Sequence, residues 1–218
     1  MQDVKIQALK VSVLPVTPFA QNCSIVTCVA TNRAAIVDPG GDVARIREGI
    51  ARLGVTPERI LLTHGHIDHA GGAAELAEAL SIPIEGPHEA DAFLLSGLKE
   101  QGLRFGISDA RNVTATRWFR EGDTVSVGNL IFDVLEVPGH TPGHIVFVNE
   151  PERFALVGDT LFAGSVGRTD FPYGDSELLI RGIKSKLLPL GDDMTILPGH
   201  GPASTIGAER QGNGFLQG

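Results

Sequence analysis

Three histidines and an aspartate fall within six residues of this chain: His64, His66, Asp68 and His69, in the pattern H-x-H-x-D-H. At the chain's own frequencies of these residues, chance produces that pattern at roughly a few in ten thousand. The apolar run Ile60-Leu61-Leu62 precedes it, and an amphipathic stretch beginning near Ala73 follows. The four side chains therefore fan out from a strand-to-helix turn. Alternate residues of an extended segment point the same way, which brings His64 and His66 together. Asp68 and His69, at the helix start, face a second point. Imidazole nitrogen combined with carboxylate oxygen suits zinc, iron or manganese.

The rest of the chain reads as a mixed α/β domain. Strand-like runs occur at 4–16, 23–29, 34–37, 59–62, 130–137, 145–148, 154–157 and 195–197, each rich in β-branched residues. Val43, Ile46, Ile50 and Leu53 repeat at helical spacing after Asp42, a candidate cap. Ala73, Leu76, Ala77 and Leu80 mark a second helix, and Leu179, Ile183 and Leu187 a third. The early strands follow one another as a meander, then strand and helix alternate, then strands cluster again from about residue 117 to 157. The irregular stretch 87–112 holds Phe93, Leu94, Leu95 and Phe105, which read as core packing or as a helix and lid beside a site. No repeat or linker divides the chain, so residues 1–218 are expected to form one domain.

Composition narrows the partners. With 42% apolar and 20% charged residues, the chain can bury a core without disulfides. Cys23 and Cys28 lie five apart in a strand-like run, which puts them on opposite faces as buried free thiols. A formal charge of −8 has the wrong sign for a nucleic-acid binder, and no apolar run approaches the roughly 18 residues that span a bilayer. The first twenty residues carry Lys5, Lys10 and Pro15 without a continuous apolar region, so a cytoplasmic location is expected.

More candidate ligands stand at the ends of later strands: His140 in Pro138-Gly139-His140, Asp159 in Gly158-Asp159 and His200 in Pro198-Gly199-His200. With the first cluster they make seven groups. Two divalent ions, zinc first with iron or manganese as alternatives, would use all seven. His64, His66 and His140 would hold one ion, and Asp68, His69 and His200 the other. Asp159 would bridge, which places the carboxylates Asp68 and Asp159 at the catalytic centre.

The segments Thr63-His64-Gly65-His66-Ile67-Asp68-His69, Pro138-Gly139-His140-Thr141-Pro142-Gly143-His144 and Gly158-Asp159-Thr160-Leu161-Phe162 carry a resemblance. The sequence resembles the metallo-β-lactamase superfamily and, within it, the glyoxalase II (hydroxyacylglutathione hydrolase) branch. The loop Gly164 to Pro172 and the tail Glu209 to Leu216 are similar to the short bacterial form. The resemblance implies an αβ/βα sandwich of two mixed sheets flanked by helices, with a dinuclear site. It leaves His144 outside the ligand set, as a structural residue or one that supports the ligands, and it suggests Asp38 as an orienting partner of a ligand histidine; His88, after Pro87 in the irregular stretch, reads as a surface residue. The long form of that branch grips glutathione with a helical domain beyond its last ligand histidine, whereas here the sequence runs only from His200 to Gly218. Arg168 falls where the branch places a basic residue contacting the glutathione part of the substrate; it also reads as a surface arginine paired with Asp170.

A hydroxide bridging two metal ions needs no side-chain nucleophile, and the sequence has no G-x-S-x-G elbow. The resemblance therefore implies hydrolysis of a thioester, S-lactoylglutathione, to lactate and glutathione. The alternative is a mononuclear iron persulfide dioxygenase using His64, His140 and Asp159. Lactone, phosphodiester or β-lactam hydrolysis on the same scaffold is a further alternative.

Overall fold

The computed structural model describes residues 8–107 and 109–217. Its first half is a five-stranded sheet in the order β1 (Leu9–Val16), β2 (Gln21–Cys28), β3 (Arg33–Val37), β4 (Thr56–Leu61) and β5 (Ile84–Glu85). The first three strands pair antiparallel as the expected meander, and β3, β4 and β5 then pair parallel. Parallel pairing requires crossovers. They are supplied by α1 (Val43–Leu53), and by α2 (Ile67–Ala70) followed by α3 (Ala73–Leu80).

The second half is a six-stranded sheet containing β6 (Thr124–Val127), β7 (Leu130–Glu136), β8 (Ile145–Asn149), β9 (Phe154–Gly158), β12 (Thr195–Pro198) and β13 (Ser204–Thr205). Its order is β13-β12-β9-β8-β7-β6, antiparallel except for the β9–β12 pair. A small hairpin, β10 (Leu161–Phe162) with β11 (Ser165–Val166), follows β9. The helices α4 (Ala92–Ser96) and α5 (Leu98–Phe105) cover the first half, and α6 (Ser176–Gly182) and α7 (Ile206–Gly212) the second.

Alternation along the strands builds the layers. Ala35, Val37 and Leu61 face Phe132, Val134, Phe147 and Leu156 across the inter-sheet core. Their neighbours Ala34, Ile36 and Ile60 pack against Ile46, Ile50 and Leu76 of the helices. Val146, Val148, Ala155 and Val157 do the same against Leu179 and Ile183. The result is the expected αβ/βα sandwich of two mixed sheets. Cys23 and Cys28 are free and buried in different cores, one on each face of β2.

Several elements differ from the sequence reading. Asp42 precedes α1 but makes no side-chain cap, because its carboxylate accepts the Thr17 N–H at 2.8 Å. The helix through Leu179 and Ile183 becomes a π-helical turn at Ile183–Leu187. In the stretch 87–112, Leu94 and Leu95 are buried, while Phe93 and Phe105 stay about half exposed. The first part of the run 4–16 lies outside the described residues.

Candidate metal centre

The sandwich closes at one end, where the strand termini of both halves meet. The Ile145 N–H donates to the Thr63 carbonyl at 2.9 Å, and the Asn22 N–H donates to the Gly199 carbonyl at 2.8 Å. His64 and His66 lie in the turn leaving β4, and Asp68 and His69 on α2. His140 follows β7, Asp159 follows β9 and His200 follows β12. Chain reversal at this end requires close backbone approach. A Cβ on Gly40 would overlap the Asp68 carbonyl, and one on Gly199 would meet Asp159 and His69.

All seven sequence-derived candidates come together there. His64 Nε2 and His140 Nε2 approach His66 Nδ1 at 3.1 and 2.9 Å. Asp68 Oδ2 lies 3.1 Å from His200 Nε2 and 3.9 Å from His69 Nε2. Asp159 stands between the two groups, with Oδ1 3.4 Å from His69 Nε2 and Oδ2 3.6 and 3.7 Å from His140 and His200. Each triad could hold one cation.

The far nitrogen of each imidazole is fixed by an oxygen. His69 Nδ1 meets the Asp38 carboxylate at 2.9 Å, His140 Nδ1 the Arg168 carbonyl at 2.7 Å and His200 Nδ1 the Phe19 carbonyl at 3.2 Å. His64 Nδ1 lies 3.1 Å from the Thr63 hydroxyl, and His66 Nε2 2.9 Å from the Tyr173 hydroxyl. An imidazole whose outer nitrogen donates keeps a lone pair on the inner one. The inner atoms are thus five nitrogens and two carboxylates, a donor set matched to divalent cations. Asp159 Oδ1 and His69 Nε2 are buried without a hydrogen-bond partner, a costly arrangement that a bound cation would relieve.

Burial holds His64 well below the usual imidazole range, and holds His66 at about 3. Burial works the same way on His69, but there Asp159 and Asp68 prevail and hold it well above. Asp159, against the effect of its own burial, is held far down by His69 and His140.

Two further residues shape the centre. His144 is fully buried and stacks on His64 at 4.8 Å, and its Nε2 accepts the Asp159 N–H at 2.9 Å. It lies outside both triads but sets the backbone of the shared carboxylate. Asp91, which sequence reasoning missed, is likewise fully buried. Its carboxylate accepts the Gly65 and Gly143 N–H groups at 2.9 and 2.6 Å and the Thr141 hydroxyl at 2.8 Å. Asp91 thereby ties the His64–His66 turn to the His140–His144 turn. Burial pushes its carboxyl up to about 6, while the three donors aimed at it favour the ionised form. Its only sequence signal was an acidic residue before the apolar run Phe93-Leu94-Leu95.

Arg168 is exposed and makes a two-pronged ion pair with Asp170, both contacts at 2.8 Å, with its guanidinium 4.6 Å above the Phe171 ring. His88 lies outside the ligand groups; its Nδ1 accepts the Ala90 N–H.

Residues 16–200 match the metallo-beta-lactamase superfamily. The chain belongs to that superfamily. Within it, hydroxyacylglutathione hydrolase GloC of Haemophilus influenzae is 45% identical, with 95% of this chain aligned to 98% of that protein. Among solved structures, the BLEG-1 B3 metallo-beta-lactamase superposes with a TM-score of 0.86 at 33% identity, covering 96% of this chain and all of that one. TTHA1623 in a di-iron-bound form gives 0.85 at 34%, covering 94% of this chain and 100% of that one. The chain is thus a metallo-hydrolase of the metallo-beta-lactamase fold, and its histidine and aspartate clusters could hold divalent metal ions. Among the described residues no helix is long and apolar enough to cross a membrane.

Proposed function

We propose that this metallo-beta-lactamase superfamily member hydrolyses a glutathione thioester of the S-lactoylglutathione type. The observation that carries the reading is the pair of ligand triads sharing Asp159, in a chain aligned almost end to end with a hydroxyacylglutathione hydrolase. His64, His66 and His140 would hold one divalent ion and Asp68, His69 and His200 the other, with Asp159 common to both. Zinc is the first expectation, and the di-iron-bound neighbour makes iron the second. When bound, such ions would supply an activated water, its pKa lowered toward about 7, and Lewis-acid polarisation of a carbonyl.

The chain's own residues do the positioning. Asp38 and the Arg168 carbonyl fix the rings of His69 and His140, one in each triad. His144 fixes the Asp159 backbone through its N–H. Neither cysteine serves as nucleophile: Cys23 lies in the helix-side core, where burial pushes its thiol up, and Cys28 lies between the sheets. The thiolate product of a thioester is a good leaving group and needs no acid. Arg168 would meet a glutathione carboxylate, exchanging Asp170 for the substrate. The substrate is a small molecule in the cytoplasm, with neither nucleic acid nor membrane as partner.

Three assays on the metal-reconstituted protein test this: metal content, loss of thioester absorbance with S-lactoylglutathione, and oxygen uptake with glutathione persulfide. About two ions per chain with thioester hydrolysis and no oxygen uptake are expected. Oxygen uptake without hydrolysis would give the dioxygenase reading instead. The B3 metallo-beta-lactamase neighbour favours a second reading, β-lactam hydrolysis, which would prevail if a chromogenic cephalosporin turned over faster than the thioester.

A further inference from the structure

We propose that Tyr173 is a positioning residue for the metal centre: its phenol oxygen accepts the Nε2–H of His66 and so fixes the ring whose Nδ1 enters the first triad. This rests on the ligand assignment above.

Three observations carry it. His66 Nδ1 is the nitrogen on which His64 Nε2 and His140 Nε2 converge; as a ligand of that triad it would keep its lone pair on Nδ1 and carry its proton on Nε2. That Nε2 lies 2.9 Å from the Tyr173 hydroxyl. The phenol is itself locked, its ring stacked on Phe171 at 5.4 Å and 12° and edge-on to Phe93 at 5.3 Å.

The position of Tyr173 in the chain adds the functional point. It sits in the loop between β11 and α6, five residues after Arg168, whose carbonyl orients His140. The far end of that loop is pinned beside the same turn, with the Asp175 N–H donating to the Gly139 carbonyl at 2.8 Å. One loop therefore orients two of the three imidazoles of this triad. It also carries the run of Arg168–Phe171–Tyr173–Phe93 contacts, with the Phe171 ring 4.9 Å from His66 and 5.7 Å from His140. By contrast, His64, His69 and His200 take their outer partners from Thr63, Asp38 and Phe19, all in the first half of the fold.

Tyr173→Phe removes the oxygen and keeps both ring contacts. At saturating zinc the variant should still bind two ions. One of them should bind about 10- to 100-fold more weakly and leave faster to a chelator. The visible spectrum of the cobalt-substituted variant should differ from that of the parent, a change that loosened packing alone would not cause. Tyr173 is the chain's single tyrosine, so the tyrosine ultraviolet difference spectrum on zinc titration reports its hydrogen bond directly. Unchanged zinc affinity and cobalt spectrum would overturn the proposal. His66→Ala separates the two levels of failure. If it loses an ion while Tyr173→Phe matches the parent, only the role of Tyr173 falls. If it keeps both ions, the assignment of His66 as a ligand falls, and the role of Tyr173 with it.

Discussion

Asp159 and His69 face each other 3.4 Å apart, wholly inside the protein, and neither facing atom has a hydrogen-bond partner. In the metal-free protein the surrounding carboxylates favour a second proton on His69. Despite burial, Asp159 and Asp68 hold the His69 imidazolium well above the usual range, and Asp68 and Asp159 raise His200 in the same way. A cation entering the second triad must displace those protons. Zinc binding should therefore release protons at neutral pH, and apparent affinity should rise as pH increases through the range where His69 and His200 titrate. Calorimetric zinc titrations in buffers of different ionisation enthalpy measure the release directly, and an affinity independent of pH would contradict the picture. Arg168 supports a different prediction. Its guanidinium already has Asp170 and Phe171 as partners, so it is preorganised on the exposed face of its loop and contributes no atom to the ligand set. Arg168→Ala should raise KM for the glutathione thioester by about ten- to a hundredfold, corresponding to the roughly 1.5–3 kcal/mol of a charge-assisted bond. A small acyl thioester lacking the peptide should show no such defect. An equal defect with both substrates would mean that the loop, and not the charge, is what Arg168 supports.

At the scale of elements, the centre depends on turns being held against one another. Asp91 does this across the two halves, between the turn after β4 and the turn after β7. Asp91→Ala would leave two backbone donors and a hydroxyl without acceptors in a buried place. A loss of about 2–4 kcal/mol in urea unfolding of the metal-free protein is expected; a loss below 1 kcal/mol would show that water replaces the carboxylate. This element also marks where sequence reading stopped. The long strands were legible because alternation of apolar residues reports burial on a sheet, and His64, His66, Asp68 and His69 were legible because four potential ligands in six residues are rare. The strands β5, β10, β11 and β13 span two residues each, too short for any period to register. Asp91 and Tyr173 act through partners 26 to 107 residues away, and nothing local distinguishes such a residue from a surface one. Asp42 shows the converse failure: a good cap by type, it sits in the αL region at φ 51° and accepts the Thr17 N–H instead of capping the helix.

Across the whole molecule, the centre is a joint between two halves that each own a core. His64, His66, Asp68 and His69 come from the first sheet and its helices, and His140, Asp159 and His200 from the second. The helix-side cores lie within single halves, whereas the inter-sheet core unites them through Val37 and Leu61 against Phe132 and Phe147. Metal ions held at the joint would act on the folded state alone, since the seven candidate ligands span residues 64 to 200 and do not meet in an unfolded chain. Each ion then stabilises by RT ln(1 + [M]/Kd), about 4 kcal/mol when the free ion exceeds Kd a thousandfold. For a domain of this size about 1 kcal/mol moves the midpoint by roughly 2–4 °C. Chelation should therefore lower Tm by about 8–16 °C per ion removed while the far-ultraviolet circular dichroism stays native, because the three cores need no metal. Restoring zinc in steps should return Tm in two increments, and His66→Ala should abolish one of them. A metal-free protein that unfolds outright would place the stability in the joint instead of the cores. A Tm indifferent to chelation would mean that these seven side chains bind no ion tightly enough to matter.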